Sequence, residues 1–349
     1  MEAILTASAV IPSAVHDRTT ISCRIQRWNR GVCVSRGTEC LEVVGFREKV
    51  CLPSRISVRR CGLARAVVHR AGIVNLTVGR VAEEGTPFPF LSNAGRKVMT
   101  NVSTILEKEL SPLLQHSKIP DDVRHFKSED GTAEGSVVIR AGKDSSQIDF
   151  VLESWLHATL PFGTLDIATF AVMLGPETDS PHFLFEFIQS GPSLVVVLDH
   201  LPRKDLVLDT DYRQRFYEAP GLDEIRKRFE EAPNSKPYIS SVLFIRSVVS
   251  PTAVLYKLNA GTQVDGGGLE EQIETVVYPG SQKMIEAWIE SFLTRGSSVS
   301  NVEDTLRRDK KIKTFAIEVD LAANLPRLFG QSIADRIVEA FRTEGRIKV

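Results

Sequence analysis

An α+β fold is predicted, a single antiparallel sheet with helices over both faces, and three observations predict it. Five strand-like segments follow one another between residues 135 and 199, joined by connections too short for a parallel crossover, which needs a dozen residues or more. Helical patterns stand before and after this block and not between its strands. One strand, Pro181–Gln189, is apolar on both faces, so it requires cover on both sides.

Pro87–Pro89 marks an entry turn. From Ala94 to about Gln115 the positions Val98, Val102, Ile105, Leu106, Leu110, Leu113 and Leu114 recur at three and four, which predicts an amphipathic helix. The strands are Gly135–Arg140, Ile148–Leu160, Leu165–Leu174, His182–Gln189 and Ser193–Asp199. They are rich in β-branched and aromatic residues and bounded by Gly, Pro, Asp and Ser. Asp211–Glu231 reads as a densely charged helix, Tyr238–Leu258 as an extended or mixed segment broken by Pro251, and Asn259–Gly268 as a loop. Leu269–Leu293 reads as a long helix interrupted near Pro279, followed by a loop over 295–302. Two helices, about 302–323 and 326–342, end the chain.

Charge divides the chain in two. Residues 1–80 hold 13 Lys and Arg against 5 Asp and Glu, and all 5 cysteines, while residues 81–349 have a net charge of −9. The first stretch is Arg-rich, acid-poor and lacks the layout of a secretory signal, which fits an organellar transit peptide. A basic tail bound to an anionic surface is the alternative. Residues 81–349 are read as one domain. Their acidity argues against nucleic acid as a partner, and no run reaches the roughly 20 apolar residues of a membrane span. Without cysteine, this body also excludes thiol redox chemistry and Cys-ligated zinc.

No P-loop, zinc-protease or hydrolase nucleophile motif is present, and Gly266–Gly268 lacks the spacing of a dinucleotide site. The histidines are scattered, with no pair at metal-binding spacing. Carboxylates are the remaining candidates. Glu186 is the one polar residue on its face of the strand, among Leu184 and Ile188. Desolvation there is expected to raise its pKa and suit it to proton delivery. A Glu paired with an Arg, or facing a wet sheet edge, fits equally. Asp320 follows the basic run Arg307, Arg308, Lys310, Lys311 and Lys313, which reads either as a docking patch or as a solvated helix face.

The segments Asp130–Pro161, FEFIQS (Phe185–Ser190), RKDLVL (Arg203–Leu208), FIRSVVSPTA (Phe244–Ala253) and LPRLFG (Leu325–Gly330) together resemble red chlorophyll catabolite reductase. This is a plant chloroplast family similar in fold to the ferredoxin-dependent bilin reductases, and the resemblance runs from about Phe88 to the C-terminus. It implies an α/β/α sandwich, often dimeric, in the stroma. It implies reduction of red chlorophyll catabolite, a linear tetrapyrrole, to primary fluorescent chlorophyll catabolite. Electrons would come from ferredoxin with no bound cofactor, with pheophorbide a oxygenase as a further partner. The family's two functional carboxylates fall on Glu186 and Asp320. Val249 stands where the family varies in bulk and is expected to influence which substrate face is protonated. Arg203, Lys204 and the Arg307–Lys313 run are candidates for the substrate's carboxylates or for ferredoxin. The rival readings are a bilin reductase acting on another tetrapyrrole, and a protein that binds a tetrapyrrole without reducing it.

Overall fold

A computed structural model of the chain describes residues 87–161, 163–261, 268–299 and 301–345, without the side chains of Val319 and Asp320. The transit segment expected over residues 1–80, and Gly266 and Gly267 of the glycine cluster, lie outside the described residues. The described residues belong to one compact unit.

Helix α1 (Asn93–Leu110) opens on Ser92, whose hydroxyl accepts the Gly95 N–H at 3.1 Å and so caps the helix. Its predicted stripe is buried at Val98, Val102, Leu106 and Leu110. It ends short of Gln115 because Pro112, within the 3₁₀ turn Ser111–Leu113, leads the chain into an extended Leu114. A short helix α2 (Asp121–Arg124) runs into β1 (His125–Lys127). Then come β2 (Ala133–Ala141), β3 (Ile148–Leu160), β4 (Gly163–Leu174), β5 (His182–Ser190) and β6 (Ser193–Leu201), each paired antiparallel to the next. The five predicted strands thus form the expected meander.

The sheet is wider than five strands. Its order is β1-β2-β3-β4-β5-β6-β8-β7, with β7 at Ser235–Pro237 and β8 at Val254–Asn259. The segment Tyr238–Leu258 resolves into a helix, α5 (Leu243–Val248), and then β8. Between β6 and β7 the chain forms α3 (Thr210–Arg213), a π-helical turn over Gln214–Glu218, and α4 (Leu222–Glu230).

After β8, α6 (Leu269–Gln272), a π-helical turn (Ile273–Val277) and α7 (Tyr278–Glu290) run without a break. The interruption expected near Pro279 takes the form of this widened turn, in which the Tyr278 N–H reaches back to the Ile273 carbonyl. Next come α8 (Val302–Phe315), a π-helical turn (Ala316–Leu321), α9 (Ala322–Phe329) and α10 (Gln331–Glu344). The break predicted between residues 323 and 326 does not occur, and the helix runs through Pro326. It stops instead at Gly330, whose φ of +79° and ψ of 162° lie in a region that essentially only glycine occupies.

Two cores result, one on each face of the sheet. On one face Phe183, Phe185 and Phe187 of β5 pack with Val98, Met99 and Val102 of α1 and Trp288 of α7. Each such buried phenylalanine contributes about 1.5–3 kcal/mol by removal from water. On the other, Leu184, Ile188 and Val197 pack with Ile312, Leu325, Phe329, Ile337 and Phe341 of the C-terminal helices. Strand β5, fifth of eight, is covered on both sides as its two apolar faces require.

Candidate active site

The register places Glu186 within its face of the sheet. It stands directly opposite Thr169 of β4, which stands opposite Ser154 of β3. On the other side Glu186 faces Val197 of β6. Directly paired residues point to the same face. Ser154, Thr169 and Glu186 therefore form one polar row on this face, flanked by the apolar Leu152, Ile167, Ala171 and Leu184. Glu186 is fully buried.

Over this face lies a cavity of about 870 Å³, its mouth included. Ser154, Leu156, Ile167 and Thr169 contribute to its floor, and Ala316, Ile317, Leu321 and Leu325 to its roof. Asp320 belongs to the roof's π-helical turn, between the lining residues Ile317 and Leu321. Its side chain lies outside what the structure describes. The turn bearing Asp320 thus belongs to the cavity roof, while Glu186 is not among the lining residues and stands one strand beyond the floor, beside Thr169. π-Helical turns recur at functional sites because the extra residue re-aims the side chains around it.

One cation lies in the cavity wall, Lys313 of α8. Its ammonium pairs with Asp149 of β3 and stands 5.7 Å from the centre of the Phe150 ring. Roof and floor are thereby tied by charge at the cavity's edge. Nothing in the sequence singled out Lys313 from its basic run. Only the phase of the helix does so, since Asp309 and Ile312 are buried while Lys310 and Lys311 are exposed.

Arg203 and Lys204 do not line this cavity. The Arg203 guanidinium is enclosed, bonding Asp309 at 2.6 Å and the carbonyls of Gly175 at 2.9 Å and Thr178 at 2.5 Å. Asp309 also accepts from His182 Nε2 at 2.9 Å, while His182 Nδ1 accepts the Leu174 N–H. Burial holds this imidazole neutral, its pKa down to about 4. Burial alone would push the Asp309 carboxyl up, but His182 and Arg203 together hold it well below the usual range. This network fastens α8 to the ends of β5 and β6. These contacts engage the Arg203 guanidinium within the fold. Lys204 bridges Asp179 at 3.2 Å and Asp209 at 3.1 Å. Val249 follows α5 and packs, partly buried, against the same core as the cavity walls.

Among the described residues no group of three or more His, Cys, Asp or Glu is placed to hold a metal ion. None of the described helices is long and apolar enough to cross a membrane. What the cavity offers is an apolar slot with the hydroxyls of Ser154 and Thr169 in its lining. Such a slot suits a largely apolar ligand.

The family described as red chlorophyll catabolite reductase (RCC reductase) matches residues 94–343. Red chlorophyll catabolite reductase 1, chloroplastic, of Oryza sativa subsp. japonica is 40% identical over 250 residues, covering 70% of this chain and 76% of that protein. The chloroplastic red chlorophyll catabolite reductase of Arabidopsis thaliana is 37% identical over 262 residues, covering 73% and 81%. Among solved structures, phytochromobilin synthase from tomato in complex with biliverdin shares the fold, with a TM-score of 0.54. It is 17% identical and covers 70% of this chain and 82% of its own.

Proposed function

This chain belongs to the red chlorophyll catabolite reductase family, and from that premise we propose that its cavity reduces the linear tetrapyrrole in the chloroplast stroma with electrons from ferredoxin. The observation that carries this reading is a cavity with Ser154 and Thr169 in its floor, their polar row continued by Glu186 on the next strand, and the turn that bears Asp320 in its roof.

The substrate takes up two electrons and two protons, and two reduced ferredoxins are oxidised in turn. Its conjugated system delocalises the unpaired electron between transfers, so the protein supplies binding, protons and electrostatics and needs no bound cofactor. Glu186 and Asp320 deliver or orient the protons. The Lys313 ammonium, in a site screened from water, favours negative charge on the substrate, whether a carboxylate or the once-reduced ring system. Val249 shapes the side from which the proton arrives. The protein acts as a homodimer and takes its substrate from pheophorbide a oxygenase.

Ferredoxin is acidic, and so is residues 81–349, so docking requires a local basic surface. The outer face of α8 carries exposed Arg307, Lys310 and Lys311 beside the exposed apolar side chains of Val302 and Leu306. A donor bound there is one helix, roughly 10–12 Å, from the cavity.

The test is an anaerobic assay of the purified protein with reduced ferredoxin and candidate linear tetrapyrroles. Turnover of red chlorophyll catabolite is expected. Binding without turnover would replace the reading with a tetrapyrrole-binding protein, and turnover of a different bilin alone would replace the substrate.

A further inference from the structure

On the sheet face that the cavity shares, one buried carboxylate takes no part in the chemistry just described. Asp199 of β6 lies on the same sheet face as Glu186, since it pairs with Leu184 while Glu186 pairs with Val197. It is fully buried. Its oxygens accept the Ser250 N–H at 2.8 Å and the Ser250 hydroxyl at 2.5 Å. Ser250 Oγ in turn accepts the Thr252 N–H at 3.2 Å and lies 3.0 Å from Thr252 Oγ1. Burial pushes the Asp199 carboxyl up to about 6. Closing a turn alone would not require so costly a group, because a buried hydroxyl or amide does the same at less desolvation.

The turn that Asp199 holds ends α5. The Val249 N–H still bonds the Ile245 carbonyl, and Ser250 follows directly. From the same short helix Phe244 stacks on Phe315, with centroids 4.0 Å apart and planes inclined by 20°. Phe315 is the last residue of α8, immediately before the roof turn Ala316–Leu321. A continuous path of hydrogen bonds, one helix and one ring stack therefore joins β6 to the roof turn.

We propose that Asp199 is a positioning residue: through Ser250 it fixes α5, and through the Phe244–Phe315 stack it sets the roof turn that carries Asp320. The claim rests on the reading of this cavity as the active site, but part of its test does not. Four variants serve, Asp199→Asn, Asp199→Leu, Ser250→Ala and Phe244→Ala. In Asp199→Asn the amide oxygen still accepts the Ser250 N–H and the amide nitrogen donates to a hydroxyl turned to accept, so the clamp persists. Amide hydrogen exchange over residues 312–322, without substrate, is expected to quicken in the other three variants, with α1 unchanged and Asp199→Asn close to the wild type. In turnover, kcat is expected to fall about 10-fold or more in those three, toward the roughly 100-fold that a 1 Å misplacement costs, with a smaller change in KM and partial rescue by Asp199→Asn.

Unchanged roof exchange in Ser250→Ala and Phe244→Ala would overturn the proposal, as would an Asp199→Asn variant as impaired as Asp199→Leu. Should Asp199→Leu fail to fold, Ser250→Ala and Phe244→Ala decide the matter. A wild type without turnover would remove the proposed function, while the exchange data would still judge the path.

Discussion

Glu186 owes its significance to alternation and to register together. A glutamate between Leu184 and Ile188 on a strand is legible as a desolvated carboxylate, but whether it faces an ion pair, a wet edge or a cavity is not. The pairing with Thr169 and Val197 sets it in a central strand, one strand from the cavity floor. Replacing Glu186 by Gln keeps shape and hydrogen-bonding capacity but removes the proton. Its kcat is expected to fall about 100-fold or more, the usual range for losing a general acid, with tetrapyrrole affinity changed only a few-fold. Single-turnover kinetics and a binding titration check this, and full activity would remove Glu186 from the chemistry. Asp199 gives a second prediction, on stability. Its pKa is raised on folding to about 6 from an unfolded value near 3.9, so the folded state holds the proton longer. Its contribution is therefore most favourable below about pH 4 and is lost as pH rises to about 6, a change on the order of 3 kcal/mol. Urea denaturation of wild type and Asp199→Asn at pH 4.5 and 7.5 should show the wild type losing ground to the variant at the higher pH. A constant difference between the two would contradict it.

At the scale of elements, the strands were more legible than the helices. A period of two with turn residues at each end marks a strand within a few residues, and β3 is found with the bounds predicted, Ile148–Leu160. Strand β8 was not separable from its surroundings, because it joins β6 only after a long excursion and Pro251 precedes it closely. The interruption expected near Pro279 lies just before it, as a π-helical turn that admits the proline, while Pro326 sits inside α9 without ending it. The true stop at Gly330 yields a prediction. A Cβ there would meet no neighbour, so the cost of Gly330→Ala comes from the backbone alone. About 1–3 kcal/mol of stability should be lost, read as a lower denaturation midpoint with an unchanged slope. No loss would mean that α9 and α10 can meet through a different conformation.

For the whole molecule, the charge split is a matter of composition, but its use is a matter of surface. The basic run of α8 has three fates. Lys313 turns into the cavity wall, Arg308 donates to the Pro202 carbonyl at 2.8 Å, and Lys310 and Lys311 remain exposed. If α8's outer face receives ferredoxin, the double variant Lys310→Glu and Lys311→Glu should raise the KM for ferredoxin while leaving tetrapyrrole binding intact. The defect should shrink as ionic strength rises from about 0.01 to 0.5 M, because the screening length falls from about 30 Å to below 8 Å. An unchanged KM at low salt would move the docking surface elsewhere. The sequence by itself determined the layered α+β fold, the antiparallel order of five strands and the candidacy of Glu186, because alternation, helical period and short connections are local properties of the chain. Tertiary structure alone decided that Lys313 and not Arg203 reaches the cavity, that Ser154 and Thr169 extend the polar row, and that Asp199 grips Ser250. Each of these depends on which distant segments pack together, and burial, which sets whether a charge serves the fold or the ligand, exists only once they have packed.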